Sequence, residues 1–137
     1  MNLRYRHLIT KLETESLATV LFHQSAQGIE RWKSVGFPVH LAVHVIDANR
    51  VADTEYVQPH THDADEINIL IGDGLCYRVQ LGEEIHEVQS PASIWIPRGL
   101  LHATNHAKGM GYYICIILTP PEDSFPAKSW KMVGGNP

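Results

Sequence analysis

From about residue 37 onward, apolar and polar residues alternate in short runs cut by turn residues. That pattern constrains the fold more than any other feature of the chain. In Val39 to Ile46 the odd positions are Val39, Leu41, Val43 and Val45, and the even ones are His40, Ala42, His44 and Ile46. Residues two apart share a face of a strand, so the period is that of β-structure. Glu66 to Ile71 sets Glu66, Asn68 and Leu70 against Ile67, Ile69 and Ile71 and ends at Gly72-Asp73-Gly74. Leu75 to Leu81 alternates again, with Gly82-Glu83-Glu84 as a hairpin tip. Ile85 to Val88, Ser93 to Pro97 and Tyr112 to Thr119 read as further strands. Tyr56 to His62 is extended, because Pro59 disfavours helix at Gln58. The pattern predicts about eight short strands and an all-β domain, either a sandwich or a closed barrel.

Residues 1–36 fit neither period well. Ser16 to Gln27 reads as a short helix capped by Thr14 or Ser16, or Ala18 to His23 as a strand. The expected organisation is an N-terminal arm over 1–36, a barrel over 37–121 and a C-terminal extension over 122–137. Asp47 to Asp53 is a polar loop, and Pro120-Pro121 stops the last strand.

A chain of 137 residues supports one sizeable core. With 44% apolar and 19% charged residues it is globular rather than disordered. The net charge is −4 and the basic residues do not cluster, which excludes nucleic acid and anionic membrane as expected partners. No apolar run has the length of a membrane span. No apolar core follows the basic residues of Met1 to Lys11, so no secretory leader is expected. Cys76 and Cys115 make no disulfide framework. Cytoplasm is the expected compartment.

Nine histidines stand out. His60-Thr61-His62 places two imidazoles on one face of a strand. Glu66 follows across the turn at Asp63 to Asp65, and a distant His102 follows Pro97-Arg98-Gly99-Leu100-Leu101. Three imidazoles and a carboxylate make a plausible site for a divalent first-row metal with open positions. Here the chain resembles the cupin superfamily. Its first motif is similar to Pro59-His60-Thr61-His62-Asp63-Ala64-Asp65-Glu66, with Gly72 and Gly74 bracketing the expected glycine. Its second motif is similar to Pro97-Arg98-Gly99-Leu100-Leu101-His102. The resemblance covers about residues 39–119. Pro91 and Ala92 replace the Gly-Asp that often opens the second motif. Thr54 takes the place of a glycine, and His106 stands where an asparagine is expected, with Asn105 one step earlier.

The resemblance implies a single-domain double-stranded β-helix, the cupin or jelly-roll barrel. It implies one divalent ion (Fe, Mn, Ni or Zn) held by His60, His62, Glu66 and His102. It also implies an enzyme acting on a small organic molecule, with a lean towards oxygenase chemistry. The alternatives are a redox-neutral lyase, isomerase or cyclase, and a non-enzymatic small-ligand binder. Four ligands are not the facial triad, so cosubstrate-dependent hydroxylation is disfavoured. Glu66, Tyr77 and His106 are the candidate acid–base groups, and Asn68, Trp95 and Arg98 the candidate substrate contacts. His40 and His44 look outward if the odd face of their strand is the core; in the other case His44 lies near the site. If Glu66 points inward, Ile67, Ile69 and Ile71 point outward and need cover, by a second copy or by another part of the chain such as the N-terminal arm; either way a homodimer by sheet packing or arm exchange is expected.

Overall fold

The computed structural model describes residues 4–47 and 55–118. Most of the expected loop at Asp47 to Asp53, the Pro120-Pro121 stop and the extension from Glu122 lie outside the described residues. Seven strands follow one another: β1 (Glu13–Glu15), β2 (Ile29–Lys33), β3 (His40–Ile46), β4 (Asp65–Leu81), β5 (Glu84–Gln89), β6 (Ala92–Ile96) and β7 (His102–Leu118). Among the described residues there is no α-helix, only two single 3₁₀ turns at Arg6–Leu8 and Leu17–Thr19. Neither expectation for residues 16–27 holds. Leu17 is buried in the second turn, and His23 makes one isolated bridge to Val57.

The strands pair antiparallel in the order β1-β2-β3-β7-β4-β5, with β6 also on β4. Gly72-Asp73-Gly74 does not end a strand as its composition suggested; β4 runs straight through it for 17 residues. β7 likewise starts at His102 rather than Tyr112. Glycines on both strands explain this. Gly72 faces Gly111 in register, and a Cβ on Gly72 would strike the Met110 carbonyl. Gly109, at φ 83°, lies against the Gly74 carbonyl. Two paired strands therefore bend together without breaking, and the ladder shifts register between Asp73 and Cys76.

The bend divides the strands into two layers. β1, β2, β3, the C-terminal part of β7, the first part of β4 and β6 form one. The N-terminal part of β7, the second part of β4 and β5 form the other. Tyr77 from the second layer stacks on Tyr113 from the first, with centroids 5.0 Å apart and planes 4° from parallel. Thr104 Oγ1 donates to Tyr113 Oη at 2.9 Å. Leu70, Leu75, Val79, Ile94, Ile96 and Ile117 complete the core between them.

Of the two faces of β3, the even one is inside. Ala42, His44 and Ile46 are buried, while Leu41, Val43 and Val45 are only half-buried. The apolar odd face yields the interior to a histidine because His44 finds hydrogen-bond partners there on both ring nitrogens.

Candidate metal centre

His60 and His62 lie on the extended segment that enters β4, and His102 opens β7. The first and last are joined by a reciprocal backbone pair, His60 N to His102 O at 3.0 Å and His102 N to His60 O at 2.9 Å. The turn after Pro97 holds its shape through Leu100 N to Pro97 O, at 3.1 Å, and Gly99 N to His62 O, at 3.0 Å. The second bond ties the two histidine segments together. All three rings are buried, and their ligand atoms lie within 4.8 Å of one another.

Each ring is held by its Nδ1–H. His60 donates to Gln58 O at 2.7 Å, His62 to Ala64 O at 3.0 Å and His102 to Leu100 O at 2.8 Å. A backbone carbonyl on Nδ1 fixes the tautomer and leaves Nε2 as the ligating atom. Phe22, at φ 63°, stacks on His60 with centroids 5.1 Å apart.

Glu66 is buried on the inward face of β4 with Asn68. Its Oε1 is 2.6 Å from His62 Nε2 and 3.4 Å from His102 Nε2, and its Oε2 accepts from Asn68 Nδ2 at 2.6 Å. Burial opposes the charge on Glu66, but His102 and His62 outweigh it and hold the carboxyl well below the usual range. Burial also opposes charge on His102, and Glu66 outweighs it there too, raising that imidazole. His102 Nε2 is buried and makes no hydrogen bond. A buried imidazole nitrogen aimed at a carboxylate and two more imidazoles is satisfied by a cation. The donor set fits a divalent first-row ion.

The same pocket has a second polar wall, lined by Arg31, His40, His44 and His23. Arg31 on β2 donates from Nη1 to His44 Nε2 at 2.9 Å and from Nη2 to His40 Nε2 at 3.1 Å. A guanidinium only donates, so both imidazoles accept on Nε2. His44 Nδ1–H then donates to Tyr56 Oη at 2.9 Å, and Tyr56 Oη is 2.9 Å from Tyr77 Oη. Burial, reinforced by Arg31, lowers His40 to about 4 and drives His44 well below its ordinary value. Burial lowers His23 to about 4 as well, against a hydrogen bond from its Nδ1–H to Leu21 O at 2.7 Å. The His23 ring bridges the two walls, 6.1 Å from His44 and 6.4 Å from His60.

The structure brings His60, His62, Glu66 and His102 together, with Asn68 behind Glu66. It does not bring the other candidates to this pocket. Tyr77 is fully buried among Tyr56 and Tyr113, and burial puts its hydroxyl well above 10. His106 Nε2 bonds Gly109 O at 2.8 Å, beside the glycine corner. Trp95 is 55% exposed, because odd positions of β6 face out while Ile94 and Ile96 face the core. Arg98 pairs with Asp63 at 3.1 Å on the surface. The asparagine expected at 106 has its counterpart one step earlier. Asn105 Oδ1 accepts from Tyr56 N and Val57 N, and its Nδ2 donates to Val57 O, which clamps the segment that leads to His60. Arg31, His23 and Tyr113 were not read from the sequence. Only the histidines on the even face of β3 left a signal.

The chain matches no family model and no curated protein. Solved structures do match it. An RmlC-like cupin from Shewanella frigidimarina superposes with a TM-score of 0.57 at 14% identity, over 82% of this chain and 87% of that one. KdgF from a Halomonas species gives 0.55 at 15% identity, over 77% and 85%. The polyketide cyclase RemF from Streptomyces resistomycificus gives 0.55 at 17% identity, over 99% and 87%. These likenesses show the fold, which is the cupin fold, and a three-histidine cluster of this kind fits a metal site in it. No helix among the described residues is long and apolar enough to cross a membrane.

Proposed function

We propose that this chain of cupin fold is a metal-dependent enzyme that moves a proton on a small organic molecule bound between the three histidines and Arg31. One observation carries the reading. Three buried Nε2 atoms converge, each fixed by a backbone carbonyl on the opposite nitrogen. Packing alone has no use for that arrangement, and metal ligation does. His60, His62 and His102 would hold the ion, with Glu66 Oε1 as the fourth donor. A divalent ion there supplies Lewis acidity towards a carbonyl or hydroxyl oxygen, or redox equivalents if it is iron or manganese.

The chain's own residues do the rest. Asn68 keeps Glu66 turned to the rings through Oε2. His23 lines the pocket and gives its Nδ1–H to Leu21 O, which would leave Nε2 as its proton acceptor. That role was expected of Tyr77 or His106, and neither lines the pocket. Val20, Leu21, Val57 and Ile117 supply the apolar part of the lining. Neutral imidazoles around an arginine suit proton transfer better than the oxygenase chemistry to which the sequence leaned. That one bearer of the fold is a polyketide cyclase accords with this reading.

Elemental analysis tests the metal. About one divalent ion per chain is expected in the purified protein, and a sharp loss in His62→Ala and in His102→Ala. Full occupancy in both variants would sink the assignment. Turnover measured with and without dioxygen separates the two chemistries: proton transfer persists under nitrogen, and oxygenation stops.

A further inference from the structure

The guanidinium of Arg31 has more donors than the described residues use. We infer that it is the subsite for a carboxylate or equivalent oxyanion of the substrate. This rests on the reading of the pocket as a substrate site and adds the class of molecule: a small organic acid whose far end carries the oxygen presented to the histidines.

Arg31 is 6% exposed and lines the pocket opposite the three histidines. A guanidinium carries five N–H groups. One bonds Glu15 Oε1 from Nε at 2.7 Å, one bonds His44 from Nη1 and one bonds His40 from Nη2. Among the described residues, one N–H on each terminal nitrogen has no protein acceptor. A pair of donors on neighbouring nitrogens matches the two oxygens of a carboxylate.

The charges point the same way. Glu15 is the partner of both Arg31 and Lys33, at 2.7 and 3.3 Å, so one carboxylate answers two cations. His40 and His44 accept from the guanidinium and add no negative charge. Glu66, the other carboxylate of the pocket, is committed to His62, His102 and Asn68. The Arg31–Glu15–Lys33 group therefore keeps one net positive charge, part of it solvated on the partly exposed Lys33, and an anion at the remaining Arg31 donors is favoured. The histidines that flank Arg31 also hold it rigidly, which reduces the entropy lost when an anion docks.

The test uses the full-length, metal-loaded chain with acetate as probe and acetamide as its neutral counterpart. Nitrogen-detected NMR of the Arg31 side chain reads the site directly, without a substitution. Acetate should shift the Arg31 Nη signals saturably, and acetamide should leave them in place. Arg31→Gln should weaken acetate binding by about tenfold or more, and Arg31→Lys should recover part of it, since charge returns without the fork. His102→Ala should change the acetate affinity at Arg31 by less than about threefold. Unmoved Arg31 signals would overturn the proposal. So would acetate binding that survives Arg31→Gln and disappears in His102→Ala, because the anion would then sit on the metal. A purified chain without metal whose Arg31 still binds acetate would remove the enzymatic reading and leave the anion subsite standing.

Discussion

Asn68 shows how a residue behind the converging histidines can govern the site. Its Nδ2 donates to Glu66 Oε2 at 2.6 Å, which leaves Oε1 as the oxygen facing His62 and His102. Without that bond the carboxylate is free to turn, and a buried oxygen loses its partner. Asn68→Ala should lower metal affinity by about 10- to 100-fold, the scale of losing an outer-shell partner. Metal competition with a chromogenic chelator measures it. An unchanged affinity would show that Glu66 is held in place by the histidines alone. The four side chains that meet in the pocket were legible in the sequence because ligation demands residue types at set spacings. His60, His62, Glu66 and His102 were found for that reason. Arg31 and His23 were not. Neither belongs to a spaced motif, and each enters the pocket only because β2 and the turn at Phe22 fold against β3.

At the scale of the element, β2 and β3 carry the pH dependence. His40 and His44 project from β3 towards Arg31, which leaves protonation to put a second cation against the guanidinium. Burial and Arg31 hold both below their ordinary value of 6.5, His40 at about 4. In the unfolded chain they titrate near 6.5. Below that pH the unfolded state binds protons that the folded state refuses, so stability falls as pH drops. The contribution of His40 is fully present above pH 6.5 and is lost progressively down to about 4. Urea midpoints of the metal-free chain at pH 7.5, 6, 5 and 4.5 would show it. His40→Gln should reduce the slope by up to about one proton, or roughly 1.4 kcal/mol per pH unit. An equal slope in wild type and variant would mean that His40 titrates alike in both states. The strands were legible wherever one face was apolar, as in the first part of β4. Strand ends were less legible, because glycine marks both a turn and a corner. Gly72-Asp73-Gly74 reads locally as a turn, and only its pairing with Gly109 and Gly111 shows a bend that both strands share.

On the scale of the whole molecule, the alternation that turns the histidines inward puts an apolar face outward. Three rows cross the first layer in register. Trp32, Val43, Ile114 and Ile69 make one; Leu41, Ile116, Ile67 and Trp95 the next; Val45, Tyr112 and Ile71 the third. Glu30 closes the third row at its β2 end, opposite Val45, and no charged side chain lies between the apolar members. Trp95, Ile71 and Tyr112 are each half or more exposed, at 55%, 51% and 50%. The expected cover by an N-terminal arm is not what β1 and β2 provide, since they extend the sheet at its edge beyond β3. These eleven residues would make the apolar centre of an interface, with polar residues around them completing the roughly 800 Å² per partner of a stable one. A second copy is the occupant it suits best, because a sheet face with an apolar centre is complementary to itself about a two-fold axis. We therefore expect a homodimer formed by sheet-on-sheet packing, with the metal pockets on the inner side of each sheet and away from the interface. Sedimentation at about 10 μM should give twice the chain mass, and Ile71→Glu combined with Trp95→Glu should give a monomer that keeps its metal, since a charge at the centre of an apolar interface is strongly disfavoured. A wild-type monomer at that concentration would leave the face without its partner and refute the assembly. A double variant that stays dimeric would move the interface elsewhere on the molecule. Loss of metal on dissociation would contradict the separation of pocket and interface by the thickness of the sheet.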